Sequence, residues 1–264
     1  MNSINISATL NLLRLVTRPN LCLPQATIST FADLPVPLDE AFLSNKKGNQ
    51  RNRNVNIEAV VLDKDNCFAV PHTNTVHEPY QVSWEITLLH ISFLNPLLLP
   101  EMPSGKLNLK RKLTIIAAFS ISQKKKFEQL KAAYPNGRLL IVSNTAGTIS
   151  VDPVGQSASE VQKATGVKVL RHAIRKPGCH AEILEYFCHQ CPGVNITRPD
   201  QIAIVGDRIT TDVMLANVMG SYAVWVQNGI VPREETSIFA RLEQKLVSLL
   251  IRKSYQPPEP ASHF

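Results

Sequence analysis

Short apolar runs rich in Val, Ile and Leu alternate with amphipathic stretches along the chain, and this alternation predicts an α/β protein. Five runs have the length and composition of buried strands: Glu58–Leu62, Arg138–Val142, Val167–Leu170, Gln201–Val205 and Tyr222–Val226. Four stretches have helical periodicity: Lys124–Tyr134, Ser157–Thr165, Cys179–His189 and Thr211–Met219. Strands that alternate with helices favour a Rossmann-like, three-layer α/β/α parallel sheet whose functional loops follow the carboxyl ends of the strands.

Changes in this pattern predict a division of the chain into four parts. Residues 1–32 form an N-terminal membrane-associating or targeting segment, 33–57 a linker, 58–250 the catalytic domain and 251–264 a tail. Arg14 and Arg18 come before the first acidic residue, Asp33, which is typical of a mitochondrial transit segment or of a helix that lies in a membrane surface. The alternative is an ordinary helix that packs on the core.

Residues 82–123 lie between Gln81 and the predicted helix that begins at Lys124, and they match nothing in the family resemblance that the surrounding residues carry. Val82-Ser83 is what an in-frame splice-donor sequence encodes, and Gln123 can be encoded by an acceptor. We hypothesise that this atypical insert is a translated intron. The competing hypothesis is a genuine membrane-docking insertion, because apolar runs there alternate with KLNLKRK. Sequencing of spliced transcripts distinguishes the two.

The positive charge of the chain lies outside the predicted catalytic domain. Of 264 residues, 28 are Lys or Arg and 21 are Asp or Glu, which gives a net charge of +7. Residues 1–57 hold six basic and three acidic side chains, 82–126 hold seven and two, and the remainder holds 15 and 16. A near-neutral catalytic domain argues against nucleic-acid binding. The five sparsely placed cysteines indicate a reducing compartment, and no apolar run reaches the ~18 residues of a spanning helix.

Carboxylates gather where the predicted strands end. Asp63 and Asp65 follow the first strand, and in extended geometry side chains two positions apart point the same way. Asp207 and Asp212, in GDRITTD, follow the fourth strand. Carboxylates directed into one cleft repel each other unless a cation lies between them. An oxygen-rich cluster of this kind is suited to Mg²⁺.

Groups that suit a phosphate accompany the carboxylates. Ser143 offers a hydroxyl and Asn144 an amide after the second strand, and Lys176 offers a compact positive charge just before a helix. Together with the carboxylates, these groups are typical of phosphoryl transfer, in which positioning and charge neutralisation provide most of the catalysis. One carboxylate can attack phosphorus while the other serves as general acid and base.

The four motifs DKDNC (63–67), SNTAG (143–147), Lys176 in RKPG and GDRITTD (206–212) resemble, in order, those of the haloacid-dehalogenase-like phosphatases. The resemblance implies that Asp63 is the nucleophile and Asp65 the general acid and base. It implies that Mg²⁺ is bound by Asp63, the backbone carbonyl of Asp65 and Asp207, with support from Asp212, and that phosphate is bound by Ser143 and Lys176. Cys67 stands where Thr or Val is usual. No large cap domain is expected.

The sequence around these motifs more closely resembles the fungal mitochondrial phosphatidylglycerophosphatases of cardiolipin biosynthesis. That resemblance implies hydrolysis of phosphatidylglycerophosphate to phosphatidylglycerol and phosphate through an aspartyl phosphate. It also implies a peripheral position at the matrix side of the mitochondrial inner membrane, with an anionic membrane surface as partner. No protein partner can be inferred. The alternatives are a phosphatase for a soluble phosphate ester and a membrane-binding module with an impaired site.

Three smaller features have competing interpretations. Cys188 and Cys191 have zinc-ligand spacing, but with a single such pair a role in helix packing is favoured. His72 and His77 follow the first motif and either touch a lipid headgroup or are ordinary loop residues. Lys124–Lys126 is either a solvated helix start or a contact with anionic lipid.

Overall fold

A six-stranded parallel sheet forms the centre of the computed structural model, which describes residues 14–15, 17–43, 55–69, 122–191, 196–230 and 238–263. The strands, in chain order, are β1 (Ala26–Ile28), β2 (Ala59–Leu62), β3 (Leu139–Ile141), β4 (Lys168–Val169), β5 (Ile202–Gly206) and β6 (Tyr222–Val226). Their spatial order is β1-β6-β5-β2-β3-β4, and every neighbouring pair is parallel. The predicted fold class is confirmed.

The helices cover both faces of this sheet. In chain order they are α1 (Glu40–Leu43), α2 (122–133), α3 (Gln156–Thr165), α4 (His180–Glu185), α5 (Met214–Met219) and α6 (Ile238–Arg252). A π-helical turn, Tyr186–Gln190, extends α4, and another, Ile209–Val213, leads into α5. The predicted helices therefore exist at the expected places, with two of them interrupted by wider turns.

Alternate residues of each strand enter opposite layers, which is why the strands are almost continuously apolar. In β2, Val60 and Leu62 belong to one buried cluster, while Ala59 and Val61 belong to the other. Helices α2 and α3 cover the first cluster, and α4, α5 and α6 cover the second. A parallel sheet covered on both faces needs apolar side chains on both sides. The three-layer arrangement follows from this need.

Besides the short helix α1, two elements of the sheet and its covering layers have no counterpart among the predicted elements. One is β1, which pairs with β6 at the edge of the sheet and is followed by buried Phe31, Leu34 and Leu38. Parts of the predicted N-terminal segment and linker thus contribute to the core. The other is α6. Three residues are too few for a periodic signal, and α6 lies beyond the last motif, where no strand followed to suggest a crossover helix.

Several predictions fall on residues outside the described ranges. Of the predicted N-terminal helix, 14–15 and 17 are described and helical, and Leu15 packs partly buried against the second cluster. Nearly all of the atypical insert, and both His72 and His77, lie outside the described residues. Within the described residues there is no separate cap domain, and none of their helices is long and apolar enough to cross a bilayer.

Candidate active site

The site lies where the strand order reverses. The chain runs outward from β2 through β3 to β4, then returns to place β5 on the other side of β2. A crevice at the carboxyl ends of the strands is expected at such a point. Asp63 directly follows β2, Asp207 directly follows β5, and the Asp63 amide donates to the Val205 carbonyl at 2.9 Å. The adjacent strands therefore bring these two carboxylates to one place.

Lys176 joins the two buried carboxylates of the first and last motifs. Its Nζ lies 2.5 Å from Asp63 Oδ1 and 2.6 Å from Asp212 Oδ1, and all three side chains are less than a tenth exposed. The Lys176 amide donates to Asn144 Oδ1 at 2.9 Å. In this structure the Asn144 side chain thus holds the loop that carries Lys176, in addition to the phosphate role predicted for it.

Burial and charge set the ionisation of this group. Burial raises the pKa of Asp63 well above its ordinary value; the Lys176 charge opposes that rise, and neighbouring Asp212 adds to it. Burial acts to lower the pKa of the Lys176 ammonium, but Asp212 and Asp63 outweigh it and hold that pKa above its usual range. Lys176 therefore stays a cation, and its charge is what favours an ionised Asp63 in a dry cleft.

Asp207 completes an acidic cluster with Asp63 and Asp212. One carboxylate oxygen from each lies within 4.8 Å of the other two. Asp207 Oδ2 accepts a hydrogen bond from Asn66 Nδ2 at 2.8 Å, while the buried Oδ1 has no partner among the described residues. Burial, and then the Asp212 charge, raise the pKa of Asp207 to about 7.

The acidic cluster fits a hard divalent cation. Its donors are all carboxylate oxygens, and a buried oxygen without a partner is costly unless something binds it. Mg²⁺ takes oxygen ligands, retains waters and typically binds through one or two carboxylates plus substrate phosphate. Asp63, Asp207 and Asp212 could therefore hold the predicted Mg²⁺. The Asp65 side chain, by contrast, is engaged elsewhere.

Asp65 forms a second polar group with the motif after β3. Its Oδ1 accepts from Lys64 Nζ at 2.7 Å, and its Oδ2 accepts from Ser143 Oγ at 3.0 Å and from the hydroxyl of Thr145. Lys64 is 1% and Asp65 20% exposed. The carboxylate is thus held by three donors beside the cleft. Such a fixed, partly exposed carboxyl can deliver a proton to a leaving group.

The last motif is shaped so that Asp212 can approach the strand closely. A Cβ added to Gly206 would lie 2.4 Å from Asp212 Cγ, so only glycine leaves room there. Asp212 Oδ2 also accepts from the Arg208 amide at 3.1 Å. The sequence GDRITTD therefore folds its second acid back over its own first residue. This places Asp212 against Lys176.

Four residues around the site were not singled out by the sequence analysis. Asn66 orients Asp207 and has φ 60°, a left-handed conformation that Asn tolerates. Thr145 and Lys64 hold Asp65. Their membership of the DKDN and SNTAG motifs was the available signal. Glu243 on α6 contacts the last motif from 35 residues away, and nothing local to it indicates this role.

The cysteines do not form a metal site among the described residues. Cys188 Sγ donates to the Ile196 carbonyl at 3.6 Å, and Cys191 Sγ donates to the Asn136 carbonyl at 3.3 Å. Burial raises the pKa of both thiols, which disfavours the thiolate that zinc requires. Local packing, the favoured interpretation, agrees with these contacts.

Comparison with known proteins identifies the class of protein that this fold and site represent. The family model described as "Mitochondrial PGP phosphatase" matches residues 6–95 and 114–231. Phosphatidylglycerophosphatase GEP4, mitochondrial, of Saccharomyces cerevisiae is 36% identical over 247 residues, which is 94% of this chain and 99% of that protein. The "Probable phosphatidylglycerophosphatase, mitochondrial" of Schizosaccharomyces pombe is 27% identical over 86% of this chain and 84% of its own.

The chain belongs to the mitochondrial PGP phosphatase family, as the sequence motifs predicted. It has the phosphatase and hydrolase character of that family. Among solved structures, a haloacid dehalogenase-like family hydrolase from Xanthomonas campestris aligns with a TM-score of 0.31. The two chains are 12% identical, and the alignment covers 75% of this chain and 99% of that chain. The family match includes residues 82–95 and 114–123, so the expectation that the whole atypical insert lies outside the resemblance is wrong; only residues 96–113 lie outside the match.

Proposed function

We propose that the chain hydrolyses phosphatidylglycerophosphate to phosphatidylglycerol and inorganic phosphate, as a peripheral enzyme at the matrix side of the mitochondrial inner membrane. The observation that carries the proposal is the pair of polar groups at one sheet edge. Lys176 lies within hydrogen-bond distance of both Asp63 and Asp212. Beside them, the Ser143 hydroxyl donates a hydrogen bond to the Asp65 carboxylate. The relatives' names supply the lipid substrate.

In the proposed first step, a carboxylate oxygen of Asp63 attacks phosphorus and the bond from phosphorus to the glycerol oxygen breaks. Lys176 favours this step in two ways: its charge opposes the rise that burial causes in the pKa of Asp63, and it offsets the charge of the entering phosphate. Asp65, in its protonated form, gives its proton to the departing glycerol oxygen. The products are phosphatidylglycerol and an aspartyl phosphate on Asp63.

In the second step, water attacks the phosphorus of the aspartyl phosphate. The Asp65 carboxylate takes a proton from that water, and the acyl-phosphate bond breaks to release phosphate and regenerate Asp63. The donors on Asp65, namely Lys64, Ser143 and Thr145, keep the carboxyl in place through both proton transfers. Ser143 and Asn144 are proposed to contact the phosphate oxygens.

Magnesium, held by Asp63, Asp207 and Asp212 with the Asp65 backbone carbonyl, would neutralise phosphate charge and orient the phosphoryl group. Lys176 offsets only part of the negative charge of these three carboxylates, and their remaining mutual repulsion favours the binding of a further cation. This is the physical reason to expect strict dependence on a divalent ion.

The test is phosphate release by the purified full chain from vesicles that contain phosphatidylglycerophosphate, with Mg²⁺ or with excess EDTA. A panel of soluble phosphate esters is run in parallel, and Asp63→Asn is the control. We expect Mg²⁺-dependent release from the lipid that Asp63→Asn abolishes. Release from soluble esters without release from the lipid would support the soluble-ester alternative, and no release at all would support an impaired membrane-binding module.

A further inference from the structure

Two loops beside the candidate site carry exposed aliphatic side chains. Ile149, Val151 and Val154 follow the SNTAG motif and are 47%, 44% and 92% exposed, and Ile174, two residues before Lys176, is 51% exposed. Single aliphatic side chains on a protein surface are ordinary, but several on adjoining loops mark an interaction surface. We call these four residues the aliphatic rim.

The two loops form one continuous surface. The Ile149 amide donates to the His172 carbonyl at 2.9 Å, and Arg171 Nη2 donates to the Pro153 carbonyl at 2.8 Å. These two hydrogen bonds join the loop 148–155 to the loop 171–176. The aliphatic rim therefore belongs to two adjoining loops and not to separate places on the molecule.

The rim is held in its exposed position by a buried anchor. The Asp152 carboxylate accepts from the amides of Gly147, Ser157 and Ala158 at 3.2, 3.3 and 2.9 Å. Burial acts to raise the pKa of Asp152, but these three N–H groups prevail and lower it, so the carboxylate is ionised and firmly bonded. The loop is thus fastened from within while its aliphatic side chains face outward.

The loop 171–176 carries Lys176 and contacts Ser143 and Asn144, the other residues proposed to bind phosphate. His172 Nε2 lies 3.1 Å from the Ser143 carbonyl, and the Lys176 amide is bonded to Asn144. Any surface that contacts the aliphatic rim is therefore next to the cleft. Arg171 is exposed and Arg175 half-buried within these loops, whereas Asp152 is buried, so the outward charge among their described residues is positive.

We propose that the aliphatic rim and Arg171 are a docking surface for an anionic phospholipid bilayer. Aliphatic side chains enter the headgroup–acyl boundary while a cation attracts anionic lipid, which is how peripheral proteins combine apolar burial with electrostatics. Docking by this edge brings the cleft to a phosphomonoester that the bilayer itself presents. The inference rests on the proposed function, because that function places the substrate in a membrane.

The experiment compares two matched double variants in the full chain. Val154→Ser with Ile174→Ser removes aliphatic side chains from the rim. Leu249→Ser with Ile251→Ser removes the same kind of side chain from two exposed positions of α6, where they are 48% and 62% exposed. Vesicle flotation is measured with all proteins carrying Asp63→Asn, on phosphatidylcholine vesicles with and without one-fifth cardiolipin. Hydrolysis of a soluble aryl phosphate is measured without Asp63→Asn.

We expect the rim variant to lose about tenfold or more in binding to anionic vesicles, because two aliphatic side chains no longer enter the apolar part of the bilayer. The α6 variant is expected to bind within about twofold of the parent. Soluble turnover unchanged in the rim variant shows that the cleft is intact. Equal binding of the rim variant and the parent, an equal loss in both variants, or no vesicle binding by the parent would overturn the docking surface.

Failure of the proposed function has a different signature. If the parent binds anionic vesicles through the rim but releases no phosphate from phosphatidylglycerophosphate, the docking surface stands and the assigned substrate is wrong. If the rim variant hydrolyses the lipid as fast as the protein with an intact rim, the function stands and the docking surface is wrong. Binding and turnover therefore report separately on the two proposals.

Discussion

The Glu243 carboxylate on α6 accepts two hydrogen bonds from the Arg208 guanidinium. Arg208 Nε lies 3.1 Å from Oε2, and Nη2 lies 3.4 Å from Oε1. The same carboxylate accepts from the amides of Ile209 and Thr210, each at 3.3 Å, and from the Thr210 hydroxyl. These groups lie between Asp207 and Asp212. One buried carboxylate on α6 thus fixes the segment that joins the two acids of the last motif.

We predict that Glu243→Gln destabilises the protein and weakens its response to Mg²⁺. Loss of charge-assisted hydrogen bonds at a mostly buried carboxylate is expected to cost about 2 kcal/mol. The Mg²⁺ concentration for half-maximal phosphate release should rise severalfold, because Asp207 and Asp212 lose their common support. Thermal unfolding and a Mg²⁺ titration measure the two effects. Glu128→Gln, at an exposed carboxylate on α2, is the matched control and should change neither.

Asp207 makes the stability of the metal-free protein depend on pH. Its pKa is raised from 3.8 to about 7, so the folded chain holds this proton more tightly than the unfolded chain does. The group's contribution to stability is therefore greatest below about pH 4 and declines as the pH rises to about 7. Above that, the folded state carries an unfavourable buried charge.

The measurement compares the wild type with Asp207→Asn in EDTA. We predict that the variant has the higher Tm at pH 8.0 and that its advantage shrinks at pH 5.5, where the wild-type carboxyl is protonated. Mg²⁺ binds the ionised carboxylates, so added Mg²⁺ should raise the wild-type Tm more at pH 8.0 than at pH 5.5, and more than that of the variant. A pH-independent difference between the two proteins would show that Asp207 is not the titrating group.

The sequence predicted those parts of the site that lie directly after strands. Asp63 and Asp207 follow buried apolar runs, and parallel neighbours bring such positions together, so strand pattern alone indicates their proximity. Lys176 is placed there by the ordered motifs, not by periodicity. In the structure it contacts both Asp63 and Asp212, a tight arrangement that depends on the glycine at 206.

Contacts between distant elements could not be predicted in this way. Glu243 lies on an amphipathic helix. A single buried acid interrupts the apolar pattern there, but the pattern does not indicate which residue that acid contacts. Strand β1 is too short to show an alternation, and its place at the edge depends on pairing with β6, nearly 200 residues away. Tertiary pairing, not local propensity, determines both features.

Thr145 is predicted to act as a positioning residue for Asp65. Thr145→Val removes one hydroxyl donor from the Asp65 carboxylate with little change in volume, and we expect kcat to fall about tenfold at nearly unchanged KM. Thr145→Ser keeps the hydroxyl and should recover most of the rate. Equal rates for the Val variant and the wild type would contradict this role.

Gly206→Ala tests the close approach of Asp212 to the strand. The added Cβ would lie 2.4 Å from Asp212 Cγ and 2.5 Å from its Cβ, so the side chain must move away from Lys176 and from the Arg208 amide. We expect a loss of activity of about 100-fold or more, as when a charged group at a phosphoryl-transfer site is displaced, with about 1–3 kcal/mol of destabilisation.

Gly166→Ala is the matched control: it strains a left-handed glycine, at φ +68°, at the end of α3. That control should lower the free energy of unfolding by about 1 kcal/mol while leaving phosphate release intact. If both variants lose activity in proportion to their loss of stability, the effect at Gly206 is on folding and the geometry of Asp212 is not what limits catalysis.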